Sequence, residues 1–392
     1  MVTLTSAENA LKSVYLNVLS EQLNINSNAL LSKINHTSKD VFGKEIIKLA
    51  PFGLNGGIGA GSEDGVLPTA AGHNHLQFKT GLKNLYGTIC LTDKAIRASK
   101  SNVGSFVNLL NDEMESLIKS SSFNLGRMIY GDGTGLMATV KNVNGNTVTF
   151  DSVKNFVEGM KVDFYSAENI VLSNVVVTFV DRKQKQVTFN TAISGVSEGN
   201  KVYACGSKDN EITGIKRIFD TTEQNKVLYG VDRSNYKWLY PYINQNETAT
   251  QINDVMIQKA LNNIEENTGN QVDFIAVSGD VRNAYQEYLS EYRRNIDVTT
   301  LAGGYKAMTY AGVPVVYERF VEDGTMYLLN TRDFNIHQLC DWEWLEGDNG
   351  NILIPSANTP TYSATLVKYA ELICDRPGAQ GKISNIKTEV NA

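Results

Sequence analysis

The chain has 392 residues, 42% of them hydrophobic and 20% charged, enough apolar material for two or three domains with sizeable cores and too much for a disordered chain. Its net charge of −6, with no basic stripe, argues against a surface that grips nucleic acid, which needs clustered Lys and Arg. Cys90, Cys205, Cys340 and Cys374 are far apart, which excludes close-spaced zinc and dithiol motifs, and no apolar run approaches the ~20 residues that cross a bilayer.

The first residues lack the basic start and unbroken apolar run of a signal peptide. Residues 6–35 read as one or two short helices, with Ala7, Leu11, Val14, Tyr15 and Leu19 on one face. Residues 44–49, KEIIKL, have strand character, and 51–75 are rich in glycine. A loop that long is uncommon inside a compact domain, yet Phe52, Leu54, Ile58, Val66 and Leu67 are too apolar for a solvated tail. An extended arm of two strands with a glycine-rich tip, covered by another subunit, reconciles the two facts. Residues 79–92 alternate as the returning strand, and 93–99 form a short helix.

From 101 to 135 the apolar positions Phe106, Leu109, Leu110, Met114, Leu117, Ile118, Leu125, Met128 and Ile129 recur at three-and-four spacing, which predicts one long amphipathic helix. Ser101 or Asn102 can cap its start, and Gly131, Gly133 and Gly135 stop it. These glycines close a helix, whereas a phosphate-binding loop opens one, and no Gly-Lys-Ser/Thr follows, so a structural turn is the reading.

Residues 136–207 change texture. Asn144-Gly145 between alternating runs marks a hairpin, and the runs that follow predict a small all-β module of short antiparallel strands. Residues 211–240 read as a linking strand and loop anchored by Phe219, Tyr229, Tyr236, Trp238 and Tyr240. Helical spacing over 252–267, a buried strand at 272–278, a second helix at 280–293 and further strands give a β/α alternation. In 335–345 alternation puts Trp342 and Trp344 on one face and Asp341 and Glu343 on the other, and 364–386 supply the last strands.

Chemistry is sparse. His73 and His75 share one side of a strand, but no third ligand accompanies them, and His36 and His337 stand alone. Asp341, Glu343, Glu346, Asp348 and Asn349 lack the spacing of a calcium loop. No nucleophile-elbow or metalloprotease signature occurs, so no catalytic residue, metal or cofactor is assigned and an enzyme is not expected.

The series KEIIKLAP, the glycine-rich tip with SEDGVLP, the return LKNLYGTICLTDKAIRAS and the helix ending FNLGRMIYGDGTG resembles the major capsid proteins of tailed bacteriophages with the HK97 fold. The resemblance implies an α+β chain with an N-terminal arm at 1–42, an extended E-loop at 43–92 and a P-domain spine helix at 93–135. An inserted β module at 136–207 follows, then an A-domain at 208–335 with a linking segment at 208–250, and a return to the P-domain at 336–392. It further implies self-assembly into pentamers and hexamers of an icosahedral virion shell around double-stranded DNA, built in the bacterial host cytoplasm without a membrane step. Phe52, Leu54, Ile58, Val66 and Leu67 would then touch a neighbour, and residues 1–40 would brace the shell. A separate scaffolding protein, a portal and decoration proteins would be its partners. Some members join subunits by a Lys–Asn bond; Lys79 and Lys83 lie on the E-loop return, but no acceptor matches them. An encapsulin-like compartment around enzyme cargo and an enzyme with a β/α substrate domain are the rival expectations.

Overall fold

The structure, a computed structural model, describes residues 28–53, 57–66, 69, 72, 74–94, 103–292, 298–300, 306–347 and 350–387, with side chains of the long helix described from Asp112 onward. Val103–Tyr130 forms that helix, 28 residues long. It lies on a five-stranded sheet of Asn35–Thr37, Lys83–Thr92, Phe334–Trp344, Ile354–Pro355 and Thr361–Cys374. Alternation along Lys83–Thr92 decides which side chains meet the helix: Leu85, Ile89 and Leu91 are buried, while Asn84, Tyr86, Thr88 and Cys90 are exposed. Met114, Leu117, Leu125 and Ile129 join them in one core with Trp342, Trp344 and Leu366, and Ile118 packs at its edge. The approach is close at Gly87, where a Cβ would lie 2.8 Å from Leu117 Cδ1.

Ala29, Leu30, Leu31 and Ile34 are buried in this same core, and Asn35–Thr37 pairs in parallel with Phe334–Trp344. Residues 29–37 of the segment expected to brace the shell are thus built into the core and sheet of their own subunit. Residues 1–27 lie outside the described residues.

The helix stops at Tyr130, before the three glycines. Gly133 and Gly135 take left-handed backbone conformations (φ +87° and +78°), and a Cβ on Gly135 would sit 2.6 Å from the Ser207 carbonyl. The chain comes back along the helix end at Gly214, where a Cβ would meet the Met128, Ile129 and Gly131 carbonyl oxygens at 2.3, 2.5 and 2.6 Å. Arg127 locks this return: its Nη1 donates to Glu211 Oε2 at 2.9 Å, its Nη2 to Oε1, and both side chains are buried. Removing one partner of such a pair strands a charge in the core.

Between these two passes, Leu136–Asn144, Thr147–Phe150, Lys161–Ser166, Asn169–Asp181, Gln186–Phe189 and Lys201–Ala204 close a six-stranded barrel around Phe150, Phe156, Phe164 and Phe189. Its halves repeat one pattern. Val140 exchanges bonds with Asn200 and Gly199 as Val177 does with Met160 and Gly159, and Phe150 N–H donates to Lys185 as Phe189 N–H does to Asn146. The sequence echoes this, Thr147-Val-Thr-Phe against Gln186-Val-Thr-Phe and Glu158-Gly-Met-Lys-Val against Glu198-Gly-Asn-Lys-Val.

The linking segment, expected as a strand and loop, holds the short antiparallel pair Val227–Leu228 and Val231–Asp232, and adds the short helix Ile215–Phe219 and a series of turns. Arg233, fully buried, is what organises it: its guanidinium donates to the carbonyls of Ile218, Asp220 and Asn225, and its Nε to that of Lys226. Beyond it a seven-stranded sheet runs in the order Tyr242–Thr250, Gly381–Ile386, Met326–Leu329, Phe274–Val277, Val313–Tyr317, Lys306–Tyr310 and Val298–Thr300, accompanied by the helices Asp254–Thr268 and Gly279–Tyr292. Gly381–Ile386 corrects the expected path of the C-terminal segment. It joins this sheet rather than the one under the long helix, because Ile383 and Ile386 bury beside Ile264 and Val281, and Gly381 leaves room for Ile264 Cδ1, 2.7 Å from where a Cβ would stand.

Gly214→Ala is expected to destabilise the subunit by about 2–3 kcal/mol in denaturant titration, because rigid carbonyls rather than a yielding side chain meet the new methyl. A change below ~0.5 kcal/mol would show that the helix end is not held as described.

Candidate functional site

Glu45–Phe52 and Asn74–Gly81 pair antiparallel, from Glu45 opposite Gly81 to Phe52 opposite Asn74. The arm therefore closes at Gly81, and Lys83–Thr92, expected as its returning strand, belongs to the sheet beneath the long helix, paired with Thr361–Cys374. Leu82 makes the break, with its N–H on the Lys44 carbonyl at 3.0 Å.

One face of the arm is occupied by its own chain. Ile46, Ala50, Leu76 and Phe78 bury against Leu228, Tyr229, Val231, Leu239 and Ile373. Lys79 N–H donates to the Tyr229 carbonyl at 2.9 Å, and Lys48 pairs with Asp375 at 2.7 Å. Tyr229 is held in place by the Cys374 N–H, which donates to its hydroxyl at 3.1 Å. Phe52, expected on a neighbour, stacks on Trp238 of its own chain at 5.7 Å and meets Tyr236 edge-on at 6.0 Å.

Past Phe52 the situation reverses. Ile58 is 82% exposed and Val66 96%, and between them Glu63 and Asp64 are exposed on a turn closed by Gly65 N–H to the Ser62 carbonyl at 3.0 Å. Leu54 and Leu67 lie outside the described residues, as does His73, and the side chains of Phe106, Leu109 and Leu110 are likewise not described. The arm is thus a lever with a seated base and an uncovered apolar tip. Periodicity gives no hint of this division, since the seat, Trp238 with Tyr229, is remote in sequence.

Other chemistry converges elsewhere. Among the described residues no group of His, Cys, Asp and Glu is placed to hold a metal. A cavity of about 180 Å³ opens between barrel, helix end and the loop around Phe320, lined by Arg127, Tyr130, Asp151, Lys154, Lys216 and Glu322 among others. The most strongly shifted carboxyls do not line it. Glu371, fully buried, is pushed up to about 7 by burial, against the pull of the Thr213 and Leu372 N–H groups it accepts at 2.6 and 3.0 Å. Glu318 is pushed up to about 7 in the same way and faces the N–H groups of Ala29 and Leu30. Both fasten remote segments into the core beside the long helix, Glu371 the return at Thr213 and Glu318 the segment at residue 29. That is a structural use of a buried acid.

No family model and no curated protein sequence matches this chain. Solved structures do. The Cyanophage A-1(L) capsid asymmetric unit matches with a TM-score of 0.57 at 12% identity, covering 94% of this chain and 93% of that one. The holo-SrpI encapsulin complex from Synechococcus elongatus follows at 0.46 and 11%, covering 93% and 89%, and the satellite phage P4 procapsid at 0.46 and 10%, covering 95% and 99%. The chain has the HK97-like capsid fold, α+β in class, with the cyanophage capsid as the likeness that carries the assignment.

The raised carboxyls give a pH signature. A folded-state value above the unfolded one favours the protonated fold, so the contribution of Glu371 is full below about 4.5 and is lost as pH rises through about 7. His36, held down to about 4 by burial and then by the Lys368 charge, acts oppositely between 4 and 6.5, so variant and wild type are compared directly. Glu371→Gln, which keeps the Thr213 contacts without a charge, is expected to remove a dependence of up to ~1.4 kcal/mol per pH unit across that window. Parallel stability–pH curves for the two proteins would contradict it.

Proposed function

We propose that this chain is the major capsid protein of a tailed bacteriophage, a structural and non-catalytic subunit that assembles into pentamers and hexamers of an icosahedral shell around double-stranded DNA. The observation that carries the reading is the uncovered arm tip on a capsid fold: Ile58 and Val66 stand in water on a lever whose base is already seated. Burying an exposed aliphatic side chain is worth about 1.5–3 kcal/mol, so a single copy leaves this stabilisation unused and a second copy supplies it.

The geometry suits a ring. The tip and whatever covers it are different surfaces, so the contact is heterologous, and repeated heterologous contacts close into rings when the rotation allows. Each contact can be weak because a subunit in a shell makes many at once. Weak contacts also let a shell rearrange while it fills, and a chain of net charge −6 offers DNA little to adhere to. Scaffolding, portal and decoration proteins would complete the particle.

Replacing Ile58 and Val66 together by Asp is expected to leave the melting temperature of the subunit within about 2 °C of wild type, since both side chains are solvated there. The same protein should sediment as subunits or small rings where wild type sediments as shells or tubes. Wild-type protein that stays monomeric at high concentration, or a variant that forms shells in the same yield, would contradict the reading.

A further inference from the structure

Two histidines stand at the root of the arm, where the chain leaves the sheet beneath the long helix. Asn35–Thr37 lies parallel to Phe334–Trp344 with Thr37 opposite His337, so alternation puts His36 and His337 on opposite faces of that sheet. His337 is 1% exposed, and its Nδ1 donates to the Lys39 carbonyl at 2.9 Å. The carbonyl can only accept, so the ring proton sits on Nδ1 and Nε2 is bare. His36 Nδ1 lies 3.4 Å from Gln338 Oε1 and 3.5 Å from the Lys368 ammonium, which is paired with Asp341 at 2.8 Å. Among the described residues Nε2 of each ring is buried and makes no hydrogen bond.

A second proton suits neither ring. On His337 it makes a buried N–H without an acceptor, and on His36 a cation 3.5 Å from another. The nearby carboxyls are committed or remote: Glu371, cross-strand from His337, accepts from the Thr213 and Leu372 N–H groups, Asp375 is held by Lys48 and Asn335, and Asp40 is exposed. Burial, then the Lys368 charge, holds His36 down to about 4 against Gln338 and Asp341. Burial holds His337 down too, aided by the Lys48 charge and opposed by the Lys39 carbonyl, Asp375 and Asp40. In water each ring returns to its ordinary value near ~6.5, so acid favours an opened state. The piece that can open is small. Asn35–Thr37 is three residues long and the turn after it is exposed, with Asp40 at φ +65°, whereas Leu30, Leu31 and Ile34 are buried. Glu318, whose protonated form the fold prefers, keeps the N–H groups of Ala29 and Leu30 in place. The Asp40 carbonyl in turn accepts from the N–H of Ile47, on the first long strand of the arm, at 2.9 Å.

We infer that His36 and His337 form an acid latch: when both rings take a second proton, Asn35–Thr37 and the turn at Lys39 and Asp40 part from the sheet, loosening the root of the arm while residues 28–34 stay packed. The latch works within one subunit and stands apart from the shell reading. Below pH ~6.5 each opened ring gains its proton, so the opening grows up to about tenfold per pH unit for each ring. It levels off once the closed form is protonated as well, at about 4 for His36.

The test is amide hydrogen exchange of the whole chain at pH ~6.5 and ~4.5, corrected for intrinsic exchange. Protection over residues 35–42 is expected to fall about tenfold or more beyond any fall in residues 28–34 or in the buried strand Phe274–Val277. The double variant His36→Gln, His337→Asn keeps a side-chain N–H for the Lys39 carbonyl and cannot titrate, and should shrink that excess to about threefold or less. Should the variant not fold, imidazole carbon resonances of the wild type decide: two of the four rings should stay neutral down to pH ~5. An equal excess in the variant would assign the acid response to the Asp341 and Asp375 pairs and overturn the latch. A wild type whose protection falls evenly along the chain, or whose four rings all titrate near the ordinary value, overturns it too.

Discussion

The closeness of the long helix to its sheet is the constraint from which the rest of the subunit follows. Gly87 lets Leu117 reach the strand, and Gly214 lets the returning chain pass against the carbonyls at the helix end. Those two contacts fix the helix at both ends of its described core. The Arg127–Glu211 pair then ties the return segment to the helix, so that barrel, arm seat and seven-stranded sheet all take their positions from one rod. A rod of 28 residues is about 42 Å long, which is ample to set surfaces far enough apart to meet different neighbours.

Polar groups inside this framework act as fasteners. Arg233 has its charge dispersed over backbone carbonyls rather than met by a carboxylate, and it gathers the turns that bear Tyr229 and Trp238. Glu371 and Glu318 hold backbone N–H groups of distant segments while buried. Each fastener joins parts of the chain that propensity alone would leave loose, and the arm base inherits its seat from them. The tip inherits nothing, and stays in water.

Local features were legible in the sequence. The stripe through Met114, Leu117 and Leu125 gives the helix, the glycines from Gly131 give its end, and Asn144-Gly145 gives the first hairpin of the barrel, with Gly145 at φ +63°. Trp342 and Trp344 bury together as alternation requires. What escaped is what depends on remote partners. Nothing near Phe52 announces Trp238, and nothing near Gly381 announces Ile264. The barrel repeat is written in the sequence as well, since Thr147–Phe150 and Gln186–Phe189 share Val-Thr-Phe, but it carries no turn signal of its own.

The central claim is that the arm tip finds its cover on another copy. A photo-crosslinking amino acid at position 58 or 66 of the assembled protein tests this most directly, with the joined residues identified by mass spectrometry. Links should run between chains and yield dimers and longer ladders on a denaturing gel. Links confined to the same chain would contradict the account.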